Sequence, residues 1–158
     1  MQGCYVRQIT RDEAEALILK YEWLGTMPAK GICQYGLFTP DNEMIGVACF
    51  GYGSGSQSRY ICVDEAARLA LGGKPYRDLT ICLERGACVH WAHPHAASFL
   101  IARAVRKVYE DHGFRVFYAY SDPLAGEVGT VYQACNWHYI GGRGSYRWYF
   151  LHLSLIHI

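Results

Sequence analysis

Side chains able to do chemistry gather in two polar loops and on the segments that flank them. Asp122, in Ser121-Asp122-Pro123-Leu124-Ala125-Gly126, follows an apolar run. That placement suits a group accepting a proton and equally suits a turn or cap beside Pro123. Tyr132, further along, carries a phenol that can protonate a leaving group or serve as a core ring with a satisfied hydroxyl. The other loop, His90-Trp91-Ala92-His93-Pro94-His95, runs into Ala96-Ala97-Ser98. If a helix begins there, its first amides and the Ser98 hydroxyl can hold an anion. His93, His95, Ala96 and Ala97, with Ser121 from the first loop, are then the donor-binding set. Arg85 follows Glu84 inside an apolar run. Strand alternation sets the two on opposite faces, leaving Arg85 either paired on the sheet or exposed at an edge.

His93-x-His95 has the spacing of a metal pair, but no Asp, Glu or Cys completes a ligand set locally and Pro94 lies between. The two histidines read instead as hydrogen-bonding or anion-contacting groups, and no metal site is expected. The seven cysteines lack CxxC or CxH spacing, which argues against a disulfide framework or a structural zinc and suits a reducing cytosol. No apolar run approaches membrane-spanning length and no signal peptide opens the chain, so a cytoplasmic protein with no membrane partner is expected.

A net charge of +1 excludes a global basic field. Any nucleic-acid contact must come from a local cluster, either Arg103, Arg106 and Lys107, or Arg143 and Arg147. Each cluster is equally at home as a solvated face. At 158 residues with 51% hydrophobic content, the chain fits one domain with one core.

The elements that position these groups follow from local pattern. Thr10-Arg11-Asp12-Glu13 is a capping box ahead of a helix with Ala14, Leu17, Ile18 and Tyr21 on one face. Residues 32–38 and 44–52 form strands joined by Thr39-Pro40-Asp41-Asn42 as a hairpin. A short helix is expected over 65–71, a long strand over 79–89, and a helix over 96–110 capped by Gly113. A buried strand over 114–120, a helix over 128–135, and strands over 137–140 and 146–151 complete the order. A hairpin followed by a β-α-β unit implies an α/β fold with a mixed sheet and helices on both faces. Ligands gather where neighbouring strands of such a sheet diverge. Residues 1–152 are expected to be a single domain cut short at its C-terminus. Leu153-Ser154-Leu155-Ile156-His157-Ile158 matches the in-frame translation of a sequencing-transposon mosaic end.

Val131-Tyr132-Gln133-Ala134-Cys135-Asn136-Trp137-His138-Tyr139-Ile140-Gly141 resembles the closing Tyr-x-x-x-Gly-Phe-x-x-x-Gly segment of GNAT acyltransferases. With Leu83-Glu84-Arg85, His93 to Ser98 and Tyr118 to Pro123, the chain resembles the Mom family, phage Mu type, over roughly residues 5 to 150. The resemblance implies a GNAT-like, mostly antiparallel mixed sheet. It also implies an enzyme that converts adenine in double-stranded phage DNA to the N6-carbamoylmethyl form, shielding phage DNA from restriction in a bacterial host. Arg85, Ser98, Asp122 and Tyr132 occupy the places the family uses for catalysis. Glu22 and Trp23 stand where relatives carry a His-Tyr pair, so an iron site there has no support. The acetyl-CoA motif Gln/Arg-x-x-Gly-x-Gly is missing from the loop before Ser98.

The implied product constrains the donor. A carbamoylmethyl group has the atoms of a glycyl residue, so an activated glycine such as glycyl-tRNA supplies them where an acetyl group from acetyl-CoA lacks the nitrogen. An adenine must leave the duplex to react, and Tyr21, Trp23 and Trp91 are the candidates to stack on it. The alternatives are an ordinary acetyl-CoA-dependent N-acetyltransferase acting on an amine or protein, and a non-catalytic DNA-binding module.

Overall fold

The computed structural model describes residues 1–53, 63–142 and 148–153. The chain runs β1 (Tyr5–Ile9), α1 (Arg11–Tyr21), β2 (Gly31–Phe38), β3 (Met44–Gly51), α2 (Glu65–Ala70), α3 (Tyr76–Leu79), β4 (Thr80–Cys88), α4 (Ala96–His112) and β5 (Val116–Ser121). A 3-10 turn (Pro123–Ala125), α5 (Thr130–Gln133), β6 (His138–Gly142) and β7 (Trp148–Leu153) follow. The strands make one seven-stranded sheet in the order β1-β2-β3-β4-β5-β7-β6. Neighbours are antiparallel except β4 and β5, which are parallel and joined through α4.

The capping box forms as its residue types require. The Glu13 amide donates to the Thr10 hydroxyl, and Glu13 in turn accepts the Thr10 amide at 2.7 Å. Helix α4 buries Leu100, Ile101, Ala104, Val105 and Val108 along one stripe and ends on Gly113 in the left-handed region. Every residue from Cys33 to Leu37 and from Ile45 to Gly51 is buried. Since strand side chains alternate between faces, both faces of the β2–β3 hairpin are covered, by α1 on one side and α4 on the other. No helix among the described residues is long and apolar enough to cross a membrane.

Three local expectations are corrected. The segment expected as a strand from Leu79 starts at Thr80, because Tyr76–Leu79 turns as a short helix behind Pro75. The helix expected over 128–135 is only Thr130–Gln133, since Gly129 adopts φ 70° immediately before it and Asn136 adopts φ 60° soon after. The alternation of Glu84 and Arg85 fails: Leu83 pairs with Phe50 and Arg85 with Cys49, so Glu84 is the extra residue of a β-bulge. Strand β7 reaches one residue into 153–158, and residues 154–158 lie outside the described part.

Candidate active site

Strands β4 and β5 are hydrogen-bonded only where Thr80, Ile81 and Cys82 face Val116, Phe117 and Tyr118. Beyond that point β5 keeps its pairing with β7 to Ser121, while β4 stays with β3 to Cys88. The two strands therefore splay, and β4 loses its burial at Glu84, one residue past Leu83. A cleft of about 290 Å³ fills the opening. Its walls come from the Glu22–Leu24 loop after α1, from Leu83 to Cys88, from the start of α4, and from Tyr120, Asp122, Glu127 and Tyr132.

Asp122 and Tyr132 both line this cleft. One Asp122 carboxylate oxygen accepts the Leu124 amide at 2.9 Å and so caps the 3-10 turn, leaving the rest of the carboxylate for a ligand. The Tyr132 ring packs on Phe150 at 5.0 Å and Trp137 at 5.4 Å between ring centres. Its phenol is pushed well above the ordinary tyrosine range, first by burial and then by the carboxylate of Glu127. The hydroxyl is thus protonated at neutral pH, the state a proton donor needs. Gly129, at the start of α5, is required by packing as well as by its positive φ, because a Cβ there would run into the Phe150 ring.

Arg85 is in the cleft wall, with its Nε and Nη1 each donating to a backbone carbonyl. Its Nε donates to the Thr26 carbonyl at 3.1 Å and Nη1 to the Glu84 carbonyl at 2.7 Å, and Glu22 lies 3.9 Å away. It fastens the loop after α1 to β4. Glu22 accepts the Gly25 amide at 3.0 Å, and burial raises its carboxyl despite the opposing pull of Arg85. Glu84 accepts the Gly53 amide at 2.8 Å on Oε1 and is raised mainly by burial, while its buried Oε2 has no hydrogen-bond partner among the described residues. Trp23, 54% exposed, donates its indole N–H to Glu127 Oε1 at 3.0 Å.

The remaining candidates are dispersed. The Ser98 hydroxyl donates to the His95 carbonyl at 3.1 Å, and Ala97, not Ser98, faces the cleft. Ala96 is buried, and Ser121 is buried with its hydroxyl unpartnered among the described residues. His93 and Trp91 line a separate hollow of about 260 Å³ beside Met1 and Cys4. Tyr21 packs edge-on against Trp91 at 6.0 Å and is not among the cleft residues, so of the three proposed stacking rings only Trp23 reaches the cleft. On α4, Arg106 is paired with Glu110 at 2.8 Å, Arg103 lies over the Phe99 ring, and Lys107 is half-buried. Arg143 and Arg147 lie outside the described residues. No group of three or more His, Cys, Asp or Glu among the described residues is placed to hold a metal ion.

Glu22, Glu84 and Glu127 are the cleft carboxylates that pattern reading did not assign to the site. Glu84 was hidden by the bulge. Glu127 had one faint signal: the tight turn at Asp122 to Gly126 must send the next side chain back toward Asp122, and Glu127 Oε2 accepts the Asp122 amide at 3.2 Å.

The central splay between parallel β4 and β5, with helix α4 crossing between them, is the architecture of the GNAT acyltransferases. A GNAT family acetyltransferase from Elizabethkingia anophelis with acetyl-CoA bound matches at TM-score 0.64 and 9% identity, over 97% of this chain and 99% of that one. Spermidine N-acetyltransferase from Vibrio cholerae, in complex with CoA and spermine, matches at 0.61 and 12%, over 97% and 96%. The C-terminal condensation domain of Ebony in complex with beta-alanyl-dopamine matches at 0.60 and 8%, over 97% and 100%. No curated protein matches the sequence. The Mom protein family model matches residues 3–158, and the chain belongs to that family.

A coenzyme A pyrophosphate would need a run of free amides before α4, and this chain does not fit that need. Pro94 has no N–H, the His95 amide is given to His93 Nδ1 at 3.1 Å, and the Ala96 amide to the His93 carbonyl at 2.7 Å. Only the amides of Ala97 and Ser98 are left at the start of the helix.

Proposed function

We propose that the protein transfers an activated glycyl group to N6 of adenine in DNA, as the first half of making the N6-carbamoylmethyl base. The observation that carries this reading is membership of the Mom family joined to a cleft that holds a carboxylate and a protonated phenol together, Asp122 and Tyr132. Asp122 accepts a proton from N6 as the N6–acyl bond forms. Tyr132 gives a proton to the carrier oxygen as the acyl–oxygen bond breaks. The glycyl amine then attacks purine C6, and the original N6 departs as the primary amide. That second step is an isomerisation that needs no oxidant. Trp23 stands at the cleft as the ring on which a flipped adenine stacks.

Two observations favour a glycyl donor, carried as glycyl-tRNA, over acetyl-CoA. The amides ahead of α4 are mostly consumed. A protein of the same fold, the Ebony domain, is complexed with an amine carrying an aminoacyl group. Acetyl-CoA is the rival donor, supported by the fold's CoA-bound members. The test is to incubate protein and duplex DNA with labelled glycine, tRNA and the synthetase, and separately with labelled acetyl-CoA. Label in adenine is expected from glycine. Label from acetyl-CoA alone would replace the glycyl reading with the acetyl one.

A further inference from the structure

Glu127 holds Asp122 from two directions. Its backbone amide donates to the Asp122 carbonyl at 3.1 Å, and its Oε2 accepts the Asp122 amide at 3.2 Å. The backbone of Asp122 is therefore pinned on both sides by one residue, in the reciprocal manner of a capping box. The Asp122 side chain is braced separately, by the Leu124 amide at 2.9 Å. The remaining Glu127 oxygen, Oε1, leaves the loop and accepts the indole N–H of Trp23 at 3.0 Å. The group that would take the N6 proton and the ring that would stack the base are thus tied to the two oxygens of one carboxylate.

Both partners are donors, and they approach different oxygens, so the arrangement needs a group that accepts at each. An ionised carboxylate does this, whereas a glutamine amide has one acceptor oxygen and would turn its NH2 toward an N–H. The same carboxylate also helps, after burial, to keep the Tyr132 phenol protonated. Glu127 itself is exposed, and exposed contacts add little to stability, so what the residue supplies is geometry. We propose that Glu127 is a positioning residue for the transfer, setting the Asp122 carboxylate and the Trp23 ring at a fixed separation across the cleft mouth. The inference rests on the transfer to adenine read above, with either acyl donor. A misplacement of about 1 Å between reacting groups can cost about 10²-fold in rate, which is the scale on which such a tie acts.

The test compares the full chain with Glu127→Gln, Trp23→Phe and the double variant. Two quantities are read: the ¹⁵N order of the Trp23 indole and the Asp122 amide, and the rate of adenine modification as DNA concentration is varied. Glu127→Gln is expected to leave the thermal midpoint nearly unchanged and to loosen at least one of the two N–H groups. Its rate at saturating DNA should fall roughly tenfold or more. The DNA concentration for half-maximal rate should move by less than about twofold, because phosphate contacts set affinity. The double variant should lose no more than Glu127→Gln alone, since one of the two ties is already gone in Trp23→Phe. An undiminished rate in Glu127→Gln, two N–H groups as ordered as in the parent, or losses that simply multiply in the double variant, each overturns the proposal. If the parent modifies no adenine with either donor, the reaction reading fails by itself. Loosening in Glu127→Gln then keeps this residue as the one that holds Asp122 to Trp23, and its absence removes it.

Discussion

Trp23 and Glu127, 104 positions apart in the chain, are joined by an indole-to-carboxylate hydrogen bond of 3.0 Å. The same carboxylate accepts the Asp122 amide, so the loop after α1 and the loop after β5 are tied together across the mouth of the cleft. Trp23→Phe keeps a stacking ring and removes the tie; Trp23→Ala removes both. Because the side chain is largely exposed, either change should shift stability by no more than about 0.5 kcal/mol in thermal unfolding. Adenine modification should fall several-fold for Phe and more for Ala. Wild-type modification by Trp23→Ala would take this ring out of the reaction.

Asp122→Asn and Tyr132→Phe separate chemistry from folding. Asparagine can still accept the Leu124 amide, and phenylalanine still fills the space against Phe150 and Trp137. Both variants should melt within a few degrees of the parent while modification drops by roughly 10²-fold or more, the scale of a lost acid or base. Quantifying modified adenine in hydrolysed DNA checks this, and retained modification in either variant removes that residue from the site.

The pH dependence of stability tests the buried carboxylates. Glu22 and Glu84 are raised above the ordinary carboxyl value of 4.5, so in the window above 4.5 the folded protein holds more protons than the unfolded chain. Stability must therefore fall as pH rises through that window, and recover as pH drops back toward 4.5. Glu84→Gln should flatten the slope and raise the unfolding midpoint at pH 8 by a few degrees. An unchanged slope in urea unfolding between pH 5 and 8 would show that Glu84 carries no such burden.

Arg103, Arg106 and Lys107 share one stretch of helix α4, with Arg106 held by Glu110 at 2.8 Å, and binding experiments decide whether they serve a nucleic-acid backbone. Alanine at all three should weaken binding at every DNA sequence and flatten its salt dependence by up to about three units of slope. Glu110→Gln should do the reverse by releasing Arg106. A salt slope that ignores both changes moves the contact to Arg143 and Arg147.

Local signals carried most of the element order. The capping box at Thr10, the apolar stripe of α4 and the continuous apolar run of β5 depend on neighbours in sequence; the first two formed where their patterns stood, and β5 starts at Val116 instead of Phe114. Asp122 and Tyr132 were legible as cleft residues because they flank the strand that diverges. What failed depended on partners distant in the chain. The tie from Arg85 to the loop after α1 could not be read, because nothing local announces the Thr26 carbonyl that takes its Nε. Trp91 and His93 looked equivalent to Ala97, yet the turn from β4 into α4 sends them toward Met1 instead. A bulge leaves no mark on hydrophobic pattern, so Glu84 could not be seen as a cleft residue.

The position of β7 has a consequence for how the protein is made. β1 to β4 pair as successive neighbours, so that half of the sheet can assemble as it leaves the ribosome. β5 has only a three-residue ladder with β4, and its full-length partner is β7, the last of the described strands. Phe150, on that strand, is also the ring against which Tyr132 rests. The wall of the cleft that carries Tyr132 therefore cannot form from local contacts alone: it waits for β7 to reach back across the sheet and pair with β5.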